Sequence, residues 1–245
     1  VQPPSPPAAA PEKRMTNLLP WTSRFLMVLL RWLLSNYHNA SKLPHEKMIF
    51  KFSMPTAYCF TFSFHYAGVT FEDIRFTHEK WEAEKKKFFY GKLPVLEVDG
   101  KQLSQSGAIL QYLANKFGLA GKDEWEKAKV IEIFNFYKDV YNELSPYTLT
   151  KLGYREGDAD HLKKAVFLPG TERLYPIFVK LLSQSSSGFF VSSGLTYVDL
   201  VLAEYFDLTR KLEPEVVGKY KELNDFIDKV YAVPKLKAYL STRKD

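Results

Sequence analysis

The sequence predicts a small α/β domain followed by an all-helical domain, and three observations support this prediction. Short strand and helix patterns alternate through residues 48–121, whereas from Asp123 onward the apolar residues recur at helical spacing. Asp99-Gly100 is a strong hairpin signal inside the first part, because both central residues of a type I′ turn need positive φ. With 245 residues, the chain can form one large domain or two small ones.

The first 46 residues differ in composition from the rest of the chain. Residues 1–14 are rich in proline and alanine, which is typical of a disordered linker. The apolar segment that follows has its longest uninterrupted run at residues 25–30, too short to span a bilayer. Arg24 and Arg31 share one helix face, as in an amphipathic presequence. We predict a disordered or non-native extension with an amphipathic apolar segment over residues 1–46.

A hairpin with a proline in front of it is predicted in the middle of the first domain. Val95 to Val98 alternates as a strand, and residues 101–103 would return antiparallel after the Asp99-Gly100 turn. Pro94 cannot donate to a ladder. A cis peptide at Pro94 would make a bend whose free backbone groups face a ligand. An ordinary edge proline is the alternative.

A helix is predicted to follow this hairpin, beginning near Ser106 and ending at a cap on Gly118. Gln105 and Ser106 would place a hydroxyl and free N–H groups at the positive end of the helix, which suits a carboxylate. Serine is also a common N-cap without any ligand. The spacing itself allows both interpretations.

The second domain contains three clear helical signals. Ile131, Phe134 and Tyr141 lie on one long helix, with Val130 and Tyr137. Thr196 to Asp199 forms a capping box at the start of another helix. The last stretch, from Glu213, is predicted as two helices split near Pro234. We therefore expect a first domain over residues 47–121 and an all-helical domain over residues 123–245.

Composition argues against several functions. Of the formal net charge of +6, residues 1–46 carry +3, which leaves too little for a nucleic-acid binding face on the rest. The five histidines show no metal-ligand spacing, so no metal is expected. Cys59 is the only cysteine and has apolar neighbours, which disfavours a disulfide and a nucleophilic role. A reducing, cytoplasmic location and no membrane association are expected.

Two stretches of the chain closely resemble the glutathione transferases, in particular their sigma class. The first runs from "VTFEDIRF" through "GKLPVLEVDGKQLSQSGAILQYLANKFGLAGKDEWEKAKV", and the second is "LTYVDLVLAEY". The resemblance extends from about Phe64 to Arg243. It implies a thioredoxin-like first domain, an all-helical second domain, glutathione as co-substrate and a homodimer.

The resemblance also implies a set of glutathione-binding residues. Trp81 and Lys85 would bind the glycine carboxylate of glutathione through the indole N–H and the ammonium group. Leu93, beside Lys92 in the proline loop, would offer its backbone N–H and C=O to the cysteinyl part. Gln105 and Ser106 would hold the γ-glutamyl group. The alternative for Trp81 is a core aromatic, and for Lys85 a solvent-exposed charge.

The catalytic position departs from the family pattern. Sigma-class relatives carry a catalytic tyrosine on the first strand, and ungapped counting places Phe50 there. Their Arg-Gly turn is missing. Tyr58 could substitute if the strand slips, although it stands eight residues later. The family implies a first helix here, whereas Phe60, Phe62 and Phe64 alternate as in a strand. The catalytic residue therefore stays unassigned.

Three functional hypotheses follow from the resemblance. The first is a transferase of detoxification that conjugates glutathione to apolar electrophiles, with peroxidase or prostaglandin isomerase activity as further options. The second is a catalytically impaired glutathione- or ligand-binding protein of the same fold. The third is an ordinary transferase with a damaged or misassembled N-terminus. In the implied homodimer, Asp139 would lie near the partner's glutathione site.

Overall fold

A four-stranded sheet is the framework of the first domain in the computed structural model, which describes residues 46–51 and 58–242. The predicted N-terminal extension lies outside the described residues, apart from Glu46. The strands are Glu46–Lys51 (β1), Glu72–Phe76 (β2), Val95–Val98 (β3) and Lys101–Ser104 (β4). The strand order is β2-β1-β3-β4, with β1 parallel to β2 and the other neighbours antiparallel.

Helices make up most of the remaining described chain. In the first domain they are Tyr58–Ala67 (α1), His78–Glu84 (α2) and Ser106–Phe117 (α3), with a 3₁₀ turn at Lys85–Lys87. In the second they are Glu124–Lys151 (α4), Ala159–Leu162 (α5), Leu168–Ser183 (α6), Tyr197–Leu212 (α7), Pro214–Gly218 (α8), Lys221–Tyr231 (α9) and Pro234–Leu240 (α10). Lys163–Phe167 forms a π-helical turn that leads into α6.

The two faces of the sheet pack into two different hydrophobic clusters, because successive strand residues point to opposite faces. Met48 and Leu96 belong to the large core that continues through α1 and α3 into the second domain. Ile49 and Val95 belong to a small cluster with Phe76, Trp81 and Phe88. The large core therefore joins the sheet to the helical domain, and the small one holds α2.

The stretch with competing interpretations is a helix. Phe60, Phe62 and Phe64 lie in α1, and each is at most 1% exposed. α1 packs against α3, α7 and α10, so it is covered on several sides and does not need a single apolar stripe. Their alternation therefore reflects a buried helix and not a strand.

The remaining local predictions agree with the structure, with one difference at the C-terminal end. Asp99 and Gly100 have φ of 49° and 77°, and Gly118 caps α3 in the left-handed region with φ of 72°. The capping box of Thr196 and Asp199 is present at the start of α7. The stretch from Glu213 contains three helices where two were predicted, because Pro214 starts a short helix of its own.

The predicted fold class is confirmed. A thioredoxin-like α/β domain with a four-stranded sheet is followed by helices alone from Glu124 onward in the described chain.

Candidate active site

One end of each of the four strands lies at the same end of the sheet, which we term the sheet edge and which is distinct from the edge strand β2. Lys51, the last residue of β1, pairs with Phe76, the last residue of β2. Ile49 pairs with Val95, the first residue of β3, which in turn pairs with Ser104, the last residue of β4. The segments that leave these strands therefore begin at the same edge, and they carry most of the candidate site residues.

The loop before β3 provides backbone groups at this edge. The Leu93-Pro94 peptide is cis, as the bend interpretation of Pro94 requires. The ladder between β1 and β3 ends at Val95, so the backbone N–H and C=O of Leu93 lie beyond it. Leu93 is half-buried against the small cluster, whereas Lys92 is exposed.

Gln105 has an uncommon backbone conformation directly after β4. Its φ is 72°, in a region that residues other than glycine rarely adopt, and its side chain does not cap α3. Ser106, the first residue of α3, is half-buried. Strained conformations of this kind cluster at functional sites, where the surrounding structure holds them in place. Gln105 and Ser106 thus leave the N-terminus of α3 open to a ligand.

Trp81 and Lys85 follow β2, one helical turn apart. Trp81 is 8% exposed and packs between Phe76 and Phe88, with ring centroids 6.1 and 5.4 Å away. Lys85 forms an ion pair with Glu82 on the surface of α2. Trp81 is therefore a core aromatic whatever else it does, and its role toward glutathione stays a prediction.

Phe50 and Tyr58 are the two candidates for the position that faces the glutathione thiol. Phe50 lies in β1 and pairs with Arg75 of β2, while its side chain is outside the described part. Tyr58 begins α1, and the guanidinium of Arg75 lies 5.8 Å from the centroid of its ring. The Tyr58 ring therefore contacts a side chain of the edge strand β2.

Asp139 lies exposed on α4, and Asn135, one turn before it, is exposed as well. Their position on a surface is compatible with a contact to a second subunit. Among the residues that the structure describes, no cluster of His, Cys, Asp and Glu could hold a metal ion.

A cleft between α1, α4 and α7 was not predicted from the sequence. Its wall includes Tyr137 and Tyr141 of α4, Glu204 and Tyr205 of α7, and Cys59 of α1. Burial, and next the charge of Glu204, raise the pKa of the Cys59 thiol, which keeps it protonated. The sequence placed both α4 tyrosines on one long helix, but it did not show which helices would face them. The cleft lies at the amino end of α1, the helix that follows β1.

Comparisons with known proteins agree with this architecture. The family model "Glutathione S-transferase, N-terminal domain" matches residues 48–115, and "Glutathione S-transferase, C-terminal domain" matches residues 138–243. "Probable glutathione S-transferase 8" of Caenorhabditis elegans is 40% identical over 182 residues, which are 74% of this chain and 88% of that protein.

Solved structures show the same relationship. A Nu-class transferase from Haemonchus contortus is 39% identical with a TM-score of 0.76, over 83% of this chain and 98% of that one. Na-GST-3 from the hookworm Necator americanus, described as monomeric, is 38% identical with a TM-score of 0.78, over 82% of this chain and 98% of that one. By its fold and by these relatives, which are named transferases, this chain belongs to the glutathione S-transferase family.

Proposed function

We propose that this chain binds glutathione at the sheet edge and joins it through its thiol sulfur to apolar electrophiles. The observation that supports this most is the convergence of the Leu93 loop and the Gln105-Ser106 turn at one edge. A peptide laid along Leu93 would pair with its backbone as an added strand. The γ-glutamyl carboxylate would accept hydrogen bonds from Ser106 at the helix N-terminus.

The glycine end of glutathione would extend toward α2. We assign Trp81 and Lys85 to its carboxylate, with Lys92 adding positive charge beside the loop. Lys85 would exchange its surface pair with Glu82 for the ligand carboxylate, a small cost because exposed ion pairs contribute only about 0–1 kcal/mol. The sulfur would then lie near the end of β1, where Phe50 stands.

In the reaction, the glutathione thiol gives its proton to hydroxide or water, and the thiolate forms a bond to an electrophilic carbon, from which a leaving group departs with its electron pair. A thiol with a pKa of about 8.5 is mostly protonated at neutral pH. A phenylalanine at position 50 cannot donate a hydrogen bond to the thiolate. We therefore propose slow conjugation that accelerates as the pH rises.

Calorimetric titration tests the binding step by itself. Glutathione should bind saturably at millimolar concentration or below. Absence of saturable binding in that range would refute the proposed site. Because binding requires no thiol activation, the result does not depend on the identity of the catalytic group.

The second candidate is a glutathione- or ligand-binding protein of the same fold with little turnover. The observation that favours it is Phe50 in the family's tyrosine position. Saturable glutathione binding without conjugation at any pH between 6.5 and 9 would support the binder over the enzyme.

We also propose finer assignments that rest on the family resemblance. These are the sigma class, peroxide reduction or prostaglandin endoperoxide isomerisation by the same thiolate, and a role in detoxification. A panel assay with a hydroperoxide, a prostaglandin endoperoxide and an aromatic chloride distinguishes these activities.

Among the described helices, none has the length and apolar character needed to cross a membrane. A cytoplasmic location, supported by the buried single Cys59, is testable by cell fractionation.

A homodimer is part of this proposal, with the first domain of one subunit against the helices of the other. Phe89 and Tyr90, 90% and 55% exposed, contact each other edge to face at 4.9 Å. Exposed aromatic groups of this size often mark interaction surfaces. Asp139 would then lie near the partner's glutathione.

We also place the domain boundary between residues 121 and 123.

Light scattering at micromolar concentration tests the assembly. A dimer mass that falls to the monomer mass in Phe89→Ser is expected. A monomer mass for the unchanged chain would contradict the dimer and agree with the Necator americanus relative.

A further inference from the structure

The cleft between α1, α4 and α7 contains two tyrosine hydroxyls that have no hydrogen-bond partner among the described residues. Tyr137 and Tyr141 stand four residues apart on α4, so they share a face, and their ring centroids are 6.0 Å apart. Neither hydroxyl makes a hydrogen bond to a described residue. Among these residues, the fully enclosed unpaired side-chain oxygens belong to Glu46, Thr150 and Tyr197. The two α4 hydroxyls therefore reach the surface of the cleft.

Tyr205, a third tyrosine of the same wall, differs from these two because its hydroxyl has a hydrogen-bond partner inside the protein. The hydroxyl of Tyr205 accepts a hydrogen bond from Tyr175 at 3.3 Å, and Tyr175 also contacts the Thr209 hydroxyl at 3.2 Å. This network is closed inside the core. Tyr137 packs edge to face on Tyr205, with centroids 5.3 Å apart, but its own hydroxyl is not part of the network.

The two open hydroxyls act as donors. Burial raises the pKa of Tyr137 and of Tyr141, so both stay protonated at any physiological pH. Leu149 and Leu152 add apolar surface to the same wall. Glu204 accepts a hydrogen bond from Tyr231 at 2.6 Å. A ligand would therefore meet apolar side chains, two phenolic donors, the Thr148 side chain and the Glu204 carboxylate that Tyr231 already hydrogen-bonds, an arrangement that fixes orientation through a few polar groups.

We propose that Tyr137 and Tyr141 determine the specificity of this chain for co-substrates that carry a carbonyl oxygen on an aromatic or other flat apolar frame. The inference rests on the proposed function, since Cys59 at the start of α1, the helix that follows β1, belongs to the cleft wall. A carbonyl oxygen accepts hydrogen bonds from both phenols. An apolar ligand without an acceptor leaves the donors unpaired when it displaces water, which weakens binding.

A matched pair of unreactive ligands tests the preference without any turnover. 4-Fluoroacetophenone and 4-fluoroethylbenzene have nearly the same shape and differ in the carbonyl group. Ligand-observed fluorine NMR titration of the full chain gives both dissociation constants. We expect the ketone to bind roughly 3- to 10-fold more tightly, the range that one or two neutral hydrogen bonds give.

Variants then locate the donors. In the double variant Tyr137→Phe with Tyr141→Phe, the two ligands should bind equally, with the hydrocarbon affinity within about twofold of the original. Tyr220→Phe is the matched control, because Tyr220 lies outside the cleft wall and the ketone preference should persist. The two single variants provide the same comparison if the double variant does not fold.

Three outcomes overturn the inference: equal affinities for the unchanged chain, no binding of either ligand, or a ketone preference that survives every Tyr137 and Tyr141 variant. Glutathione calorimetry on the same preparations keeps the two proposals apart. Glutathione binding without a ketone preference refutes the specificity residues and leaves the proposed function in place. A ketone preference without glutathione binding supports the donors and refutes the proposed function.

Discussion

Two helices of this chain begin in opposite ways, although both follow a turn. α7 begins inside the core, where the Asp199 carboxylate, 0% exposed, accepts hydrogen bonds from the Thr196 and Phe190 N–H groups at 2.7 and 2.8 Å. α3 begins at the sheet edge, where Gln105 has φ of 72° and makes no side-chain cap. The N-terminus of α7 is therefore capped by a side chain of the protein and is called closed here, whereas the N-terminus of α3 has no side-chain cap and is called open. An open helix start retains its donors for an anion, at a cost in stability.

The largest effect is expected at the closed helix start. Asp199→Ala leaves two backbone N–H groups and the Thr196 hydroxyl without their acceptor inside the core. The free energy of unfolding should fall by about 3 kcal/mol, because each buried donor left unpaired costs about 1–3 kcal/mol. Denaturant titration measures it. Glutathione affinity should change little while the variant is folded.

The control is Asp225→Ala, an exposed carboxylate on α9 paired with Lys221. This change should shift the free energy of unfolding by less than about 0.5 kcal/mol. A loss from Asp199→Ala that is no larger would mean that the closed start of α7 does not stabilise the fold.

The next effect concerns catalysis at the open edge. Phe50→Tyr should raise conjugation of an aromatic chloride at neutral pH by about 10- to 100-fold, since one charge-assisted hydrogen bond contributes about 1.5–3 kcal/mol. The unchanged chain should show a rate that rises with pH toward the thiol pKa of about 8.5, and the variant should reach its plateau at lower pH. Steady-state rates between pH 6 and 9 measure both.

Tyr58→Phe is the control, and it should leave turnover unchanged. Activity that is lost in Tyr58→Phe and unaffected in Phe50→Tyr would identify Tyr58 as the catalytic hydroxyl and make the register of Phe50 wrong. Efficient turnover that neither change affects would exclude a tyrosine mechanism for this chain.

A smaller effect is expected for Ser106→Ala at the open helix start. Glutathione affinity should weaken by about 1 kcal/mol or more, which is about fivefold or more, through loss of a hydrogen bond to a charged group. The free energy of unfolding should stay within about 0.5 kcal/mol, because no described residue depends on the Ser106 hydroxyl. Calorimetry shows the first and thermal unfolding the second. An unchanged affinity would remove Ser106 from the site.

The smallest effect has the opposite sign on stability. Gln105→Gly places a residue that tolerates positive φ at a strained position, so the free energy of unfolding should rise by about 0.5 kcal/mol. Glutathione affinity should fall, because the loop loses a side chain and gains freedom. A loss of stability in this variant would show that the conformation of Gln105 carries no strain.

The sequence predicted those features whose chemistry is local. The Asp99-Gly100 turn and the Gly118 cap each follow from residue types that are adjacent in the chain, whereas the cis Leu93-Pro94 bend was one of two interpretations that the local sequence allowed. The resemblance added the roles of the sheet-edge residues, which local chemistry alone left open.

The cleft could not be predicted in this way. Its wall brings Cys59, Tyr137 and Tyr205 together from three helices, and the spacing within one helix does not reveal which others will face it. The helical state of Phe60 to Phe64 was undecided for the same reason, since burial from several sides comes from distant segments. Features that depend on packing between distant segments therefore could not be predicted from the sequence.

The reactivity of the buried Cys59 thiol can be used to measure local opening of the structure around α1. It is the only thiol in the sequence, it is 4% exposed, and burial raises its pKa. A thiol-specific reagent should therefore label it only when α1 moves away from α7, so the labelling rate reports how often that movement occurs. A ligand that fills the cleft should slow labelling in proportion to its occupancy. Labelling at the rate of an unfolded peptide would show that α1 does not protect the thiol.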